Sequence, residues 1–211
     1  MTDMQKKYYD KRGAVLARNL NNRHFEAYYC STKEEALEKA LSLIPQGSSI
    51  GWGGSVTCQQ VGILDAVRAG EYEVIDRDAA KTPEEREEAL RKCLLVDTFL
   101  TSANAMSMDG QMVNIDGTGN RLAAICFGPK QVIAIVGMNK VEDTLDAAIN
   151  RARTVAAPLN KQRFGFPNPC GATGMCGDCK SETCICNHIL VTRHCRGQRI
   201  KFVLVGEDLG L

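Results

Sequence analysis

The sequence predicts a three-layer α/β domain built on a mostly parallel sheet, with a Cys-rich loop inserted near the C-terminus. Three observations carry this. Segments with strand and helix patterning alternate along the chain, the pattern of helices covering both faces of a sheet. Residues Gln131 to Val136 form an apolar, β-branched run without polar alternation, as a central parallel strand buried on both faces requires. Five of the ten cysteines fall in the run PCGATGMCGDCKSETCICNHI, between Cys170 and Cys186, ahead of two further strand-like segments.

The elements follow in order. Lys6 to Leu20 reads as a helix with Val15, Leu16 and Leu20 as its apolar stripe, so residues 1–22 are expected to form an N-terminal helical arm. His24 to Cys30 reads as extended, and Ser31 or Thr32 caps a helix reaching Ile44. A strand over Ser48 to Trp52 leads through Gly53, Gly54, Ser55, Val56 and Thr57 into a helix ending near Gly70, and Tyr72 to Asp76 is the next strand. Pro83 opens the charged helix EEREEALRK, whose acidic first turn and basic last turn suit the helix dipole. Leu94 to Ser102 is a strand, and Gln111 to Ile115, after the Asp109-Gly110 turn, is expected beside it. A second turn at Asp116-Gly117 precedes a helix over GNRLAAICF. Val141 to Ala156 is an amphipathic helix that Pro158 stops. Ile189 to His194 and Ile200 to Val205 close the fold, so residues 167–188 read as a loop within a single domain spanning 1–211.

Composition narrows the function. Hydrophobic residues make up 44% and charged residues 24% of the 211, which is ordinary for a globular domain. Lys plus Arg total 26 against 25 Asp plus Glu, leaving no overall field to attract nucleic acid or an anionic membrane. No stretch approaches the ~18 apolar residues of a membrane span, and the charged N-terminus lacks a signal-peptide core. A cytoplasmic protein is expected, binding neither nucleic acid nor membrane, with its thiols reduced.

Thiolates crowded into a Gly-rich, Pro-flanked loop point to a metal rather than to disulfides. The Cys176-Cys179 CxxC pair is the nucleus of zinc and iron–sulfur sites alike, because a two-residue gap aims two sulfurs at one centre. Cys170 and Cys186 complete a set of four. Cys184 and Cys186 form a CxC, whose side chains would oppose each other in an extended segment, so Cys184 is taken as the spare thiol. Gly171, Gly174 and Gly177 let the loop curl closely. A zinc ribbon more usually carries two CxxC knuckles, which favours a [4Fe–4S] cluster at Cys170, Cys176, Cys179 and Cys186, with structural zinc as the alternative. His188 could replace one cysteine.

Two further segments point to a ligand. Gly53 and Gly54 after a strand let backbone approach a bound group, and Ser55 can cap a helix whose N–H groups face an anion, with Thr57 adding a hydroxyl. The plain alternative is a strand-to-helix turn; neither GK[ST] nor a complete GxGxxG is present. In DGTGNR, Asp116, Asn120 and Arg121 crowd a helix start, where Arg121 could grip a carboxylate or phosphate and Asn120 could cap or bind. The plain alternative there is a capped turn. Asn104 is a third candidate. The two segments are expected to meet at the carboxyl ends of adjacent strands and hold a small anionic metabolite. Cys30, Cys58, Cys93 and Cys126 read as buried thiols, with Cys58 placed where a thiol pKa can fall. The basic run Arg193, Arg196, Arg199 and Lys201 reads as an exposed strand pair and turn, open to an acidic redox partner. With three histidines in the chain, a nucleophilic triad has little support.

SIGWGGSVTCQQVGILDAV, TSANAMSMDGQMVNIDGTGNRLAAICFGPKQVIAIVGMNKV and AAINRARTVAAPLN, followed by PCGATGMCGDCKSETCIC, closely resemble the lactate-utilisation (LUD) domain family, in a subgroup with a C-terminal Cys-rich motif. The resemblance runs from about Ser48 to Cys186. It implies a fold similar to the ribose-5-phosphate isomerase, glucosamine-6-phosphate isomerase and CoA transferase superfamily, and an association with oxidation of lactate-type hydroxy acids beside iron–sulfur and flavin partners. Three functions follow: an iron–sulfur redox accessory protein, an isomerase- or transferase-like enzyme with a structural metal, or a zinc-stabilised binding module. No catalytic residue is assigned, and self-association is left open.

Overall fold

Alternation of helix and strand begins at the first residues. The computed structural model describes Met1 to Leu211. In chain order it contains α1 (Asp3–Asn22), β1 (Glu26–Cys30), α2 (Lys33–Ser42), β2 (Ser49–Trp52), α3 (Val56–Val61), α4 (Ile63–Ala69), β3 (Glu73–Ile75), α5 (Pro83–Lys92), β4 (Thr98–Thr101), β5 (Ala105–Ser107), β6 (Met112–Asp116) and α6 (Asn120–Cys126). Then come β7 (Gln131–Gly137), β8 (Val141–Glu142), α7 (Leu145–Arg151), α8 (Ala157–Lys161), α9 (Pro169–Thr173), β9 (His188–Thr192) and β10 (Ile200–Val205).

Six strands form a parallel sheet in the order β1-β10-β7-β4-β2-β3. The unbroken apolar run of β7 lies at its centre, as expected, because both of its faces are covered. Val132, Ala134 and Val136 join one core with Leu16, Leu20, Phe99, Leu122 and Phe202. Ile133 and Ile135 join the opposite core with Ala36, Ile50, Trp52, Val61 and Leu64. This is the three-layer α/β arrangement that the patterning predicts. The N-terminal helix α1 packs Leu16 and Leu20, both fully buried, into the first core.

Three local expectations change. β6 pairs with β5, not with β4, because β5 and β6 form the hairpin around Asp109-Gly110. Together with β8 and β9 they build a second sheet, in the order β8-β5-β6-β9. The closing strands therefore part company, β9 joining this small sheet and β10 the large one. Pro158 does not stop its helix either. Residues Ala152–Ala156 adopt a π-helical turn, with the Ala157 N–H donating to Ala152 O, and α8 continues beyond. The wider turn accommodates a residue that cannot donate and would crowd the preceding carbonyl.

Chain direction determines where a ligand can bind. After β2 the chain passes to the face that buries Cys58, Val61 and Ile63. After β4 it passes to the face that buries Met106, Met112 and Leu122. The neighbouring strands β2 and β4 thus send their connections to opposite faces, opening a crevice at their carboxyl ends.

Candidate functional site

That crevice gathers most of the residues singled out in the sequence. Gly53, Gly54, Ser55 and Thr57 follow β2, Asn104 follows β4, and Lys140 follows β7. Arg121 reaches in from α6, and together with Gly54, Ser55, Thr57, Asn104 and Lys140 it borders one pocket. A Cβ on Gly53 would come within 3.1 Å of Arg121 Cδ, so the glycine lets the Arg121 side chain pack closely against the loop. The GGSVT and DGTGNR segments therefore converge.

Their local chemistry differs from the expected one. The two helices are short, α3 having six residues and α6 seven. Ser55 Oγ accepts from the Cys58 N–H at 3.1 Å. Asp116 Oδ1 accepts from the Thr118 and Gly119 N–H groups, both at 3.2 Å, and Gly119, at φ +88°, is the cap residue where Asn120 was a candidate. Asn120 borders the wider groove beyond, beside Asp116 and Arg121. The side chains of Arg121 and Lys140 bring positive charge to the crevice.

Arg121 is held by its surroundings. Its Nε donates to Asp116 Oδ2 at 3.4 Å, and its Nη2 donates to Asn104 Oδ1 at 3.0 Å and to the Ile115 carbonyl. Asp116 thus steadies the guanidinium instead of meeting an anion, which its own charge would repel. Burial pulls the Arg121 pKa below its usual value, and Asp116 opposes the shift.

Lys140 escaped the sequence reading. It is 3% exposed, and its Nζ donates to Thr57 Oγ1 at 2.7 Å, Ser102 Oγ at 3.1 Å and Ala103 O at 3.2 Å. Burial, followed by the charge of Arg151, pulls its pKa down to about 7. The signal in the sequence was a lone lysine directly after the central strand, in GMNKV. Cys58, by contrast, is fully buried beside this cluster, and burial raises its pKa to about 11, so the expected fall is corrected.

The five clustered cysteines border a second cavity, of about 280 Å³, whose other walls include Ile115, Ala157, Pro158, Ile185 and Ile189. Cys184 and Cys186 both face it. The segment bends at Ile185, with the Cys184 N–H bonded to Ser181 O at 3.0 Å, so the alternation of an extended strand does not apply. No three His, Cys, Asp or Glu side chains are drawn together at the spacing of ligands around a single ion. Burial, then the neighbouring Cys184, Cys176 and Cys170 sulfurs, raise the Cys186 pKa to about 12. A bound cation would reverse that, since coordination deprotonates a thiol. Thiol donors of this kind suit either a zinc ion or an iron–sulfur group.

Other sequence candidates fall outside both cavities. His188 packs against Gly119. Cys126 is exposed at the end of α6, whereas Cys30 and Cys93 are buried as expected. Arg199 turns inward, donating to the carbonyls of Ala124, Ile125 and Pro129, and so closes the C-terminal end of α6 instead of lying exposed.

A doubly covered parallel sheet with a cationic crevice at its switch point defines the architecture as a three-layer α/β domain. The LUD domain profile matches residues 14–205, and the chain belongs to the LUD domain family, which links it to a lactate-utilisation-related role. Among solved structures, a DUF162 family protein from Deinococcus radiodurans is similar at 12% identity and a TM-score of 0.54, over 93% of this chain and 98% of that one. Ribose 5 phosphate isomerase A from Neisseria gonorrhoeae overlaps in part, at 18% identity and a TM-score of 0.34 over 54% of each chain. No curated protein matches the sequence. No helix is long and apolar enough to cross a membrane.

Proposed function

We propose that this LUD protein is a cytoplasmic iron–sulfur redox accessory of lactate-type organic-acid metabolism, in the subgroup with a C-terminal Cys-rich motif. Cys170, Cys176, Cys179 and Cys186 would hold a [4Fe–4S] cluster, and the crevice at Gly53, Gly54, Ser55, Thr57, Asn104, Asn120 and Arg121 would bind a small anion. The observation that carries this reading is the shared wall. Ile115 and Ile185 border both the thiol-lined cavity and the groove beyond Arg121, and that groove shares Gly54, Arg121 and Arg163 with the Ser55–Lys140 pocket, so the anion crevice and the cysteines open onto one continuous groove. When bound, the cluster supplies one-electron chemistry at a potential set by nearby hydrogen bonds and solvent exposure. The chain's own residues do the rest: Lys140 and Arg121 attract and orient the anion, Asp116 and Asn104 keep the guanidinium aimed, and Ile115 and Ile185 exclude water between the two cavities.

Anaerobic purification with metal and sulfide analysis tests this. About four iron and four sulfide per chain, with broad visible absorption, are expected of one cluster. One zinc and no iron would leave the zinc-stabilised alternative. The isomerase- or transferase-like alternative is favoured by a separate observation, the Lys140 ammonium against the Thr57 hydroxyl, a pair suited to proton transfer near neutral pH. Turnover of purified sugar phosphates or acyl-CoA would support it.

A further inference from the structure

The groove continues past Arg121 into a region that a small monoanion does not need. Arg77 follows β3 and Arg86 lies in α5, and with Arg121 and Arg163 they border a groove of about 350 Å³ that runs on from the Ser55–Lys140 pocket past Gly54 and Asn160. A Cβ on Gly54 would lie 3.6 and 3.7 Å from the two terminal nitrogens of Arg77, so the guanidinium faces the GGSVT loop itself. Arg77 is largely buried, its side chain 12% exposed, yet its partner in the chain is a single carboxylate that it shares. Its Nε donates to Asp78 Oδ1 at 3.3 Å, the same oxygen stands 3.7 Å from Arg86 Nη1, and Asp78 Oδ2 accepts from Trp52 Nε1 at 3.0 Å.

The charges do not balance. Four arginines meet two carboxylates, Asp78 and Asp116, which leaves two positive charges in the groove before Lys140 is counted. Keeping two guanidiniums together in a part-buried groove is unfavourable unless an anion joins them. Guanidinium pairs suit phosphoryl oxygens, which accept several N–H donors in the plane of each fork and carry more charge than one carboxylate.

We infer that Arg77 and Arg86 form a second anionic subsite, so that the groove takes an extended ligand with two anionic groups, the outer one a phosphoryl group. This rests on reading the inner crevice as an anion site. The inner group lies against Ser55, Thr57 and Lys140, and Arg121 and Arg163 flank the bridge between the two.

Titration calorimetry on the anaerobically purified holoprotein, with sodium lactate, inorganic phosphate and pyrophosphate as probes, tests the assignment. Pyrophosphate should bind at least tenfold more tightly than phosphate, and lactate more weakly than either. Arg86→Ala, at a half-exposed position, and Arg77→Ala should each cut pyrophosphate affinity about tenfold and leave lactate affinity, which reports the inner site, within twofold, with far-UV circular dichroism confirming an intact fold. Equal affinity for pyrophosphate and phosphate, or a pyrophosphate affinity that Arg86→Ala leaves unchanged, overturns the outer subsite while lactate binding sustains the inner one. Failure of all three probes to bind overturns both.

Discussion

The six-stranded sheet and the Cys-rich segment are held together by different forces. In the sheet, β7 and β10 bury apolar side chains on both faces, and the two flanking cores close over fully covered residues such as Trp52, Phe99 and Phe202. Between Pro167 and Asn187, Asn168 is the one buried residue. It ties the ends of the segment together, its Nδ2 donating to Thr183 O at 3.1 Å and its Oδ1 accepting from Thr183 Oγ1 at 3.0 Å. Asn187 adds a bond to Gly117 O at 3.0 Å. Apolar burial stabilises a fold without further help, whereas a few polar staples around a thiol-lined cavity leave much of the segment's order to what the thiols bind. On the proposed reading, the molecule pairs a self-sufficient scaffold with a segment that takes its order from a bound metal.

The strongest way to break this contrast is to damage the scaffold. Phe202 is fully buried and meets Phe25 edge-on at 5.1 Å between ring centroids. Phe202→Ala should cost ~3–5 kcal/mol, the usual range for deleting a buried aromatic ring. Urea unfolding followed by far-UV circular dichroism checks it, and a loss below ~1 kcal/mol would mean that the core is looser than its burial indicates.

The complementary experiment removes the ligand-dependent order. Cys176→Ser takes a thiolate from the CxxC pair and should abolish bound iron and sulfide. The cooperative unfolding of the sheet should persist, with faster amide exchange and proteolysis confined to residues 167–188. Collapse of all secondary structure together with the metal would show that the two regions are one folding unit.

A third experiment reads the boundary between scaffold and site. Because the folded-state pKa of Lys140 is pulled down to about 7, the unfolded chain holds one more proton between that pH and the ordinary lysine range. Stability from this group is therefore lowest below pH 7 and rises as the pH climbs through that window. Lys140→Met has no such proton. The stability difference between parent and Lys140→Met should move in the parent's favour from pH 7 to 9, by up to ~1.4 kcal/mol per pH unit. A flat difference would place the lysine pKa at its ordinary value.

The same contrast explains what could be read in the sequence. Strands of the large sheet were legible because burial on both faces writes continuous apolar runs, and the crevice was legible because Gly53 and Gly54 sit directly after one of them. The small sheet was not. β5 and β8 have three and two residues, too short for a period to show, so the partner of β6 went to the wrong strand. Pro158 misled because a π-turn that absorbs a proline leaves no mark in the local sequence. Arg77, Arg86 and Lys140 come together only through the order of β3, β2, β4 and β7, a long-range fact that no local window contains. The cysteines were the reverse case, since their spacing is local and all five reach one cavity.

The finest test lies within that cavity. Cys184 and Cys186 both face it, so geometry no longer separates them by strand alternation, but packing does. Cys186 rests against the small core of Ala105, Val113, Ile115, Ala148 and Ala152, which fixes its position relative to the scaffold. Cys184 has no place in that core and follows a turn closed by Ser181. A thiol anchored on the scaffold is the better fourth ligand, because its position is set before the metal arrives. Cys184→Ser should therefore leave iron and sulfide content unchanged and alter stability by less than ~0.5 kcal/mol, as expected for a partly exposed substitution. Cys186→Ser should lose the metal. The opposite pair of results, loss in Cys184→Ser with retention in Cys186→Ser, would move the fourth ligand to Cys184 and show that the loop, rather than the scaffold, positions the centre.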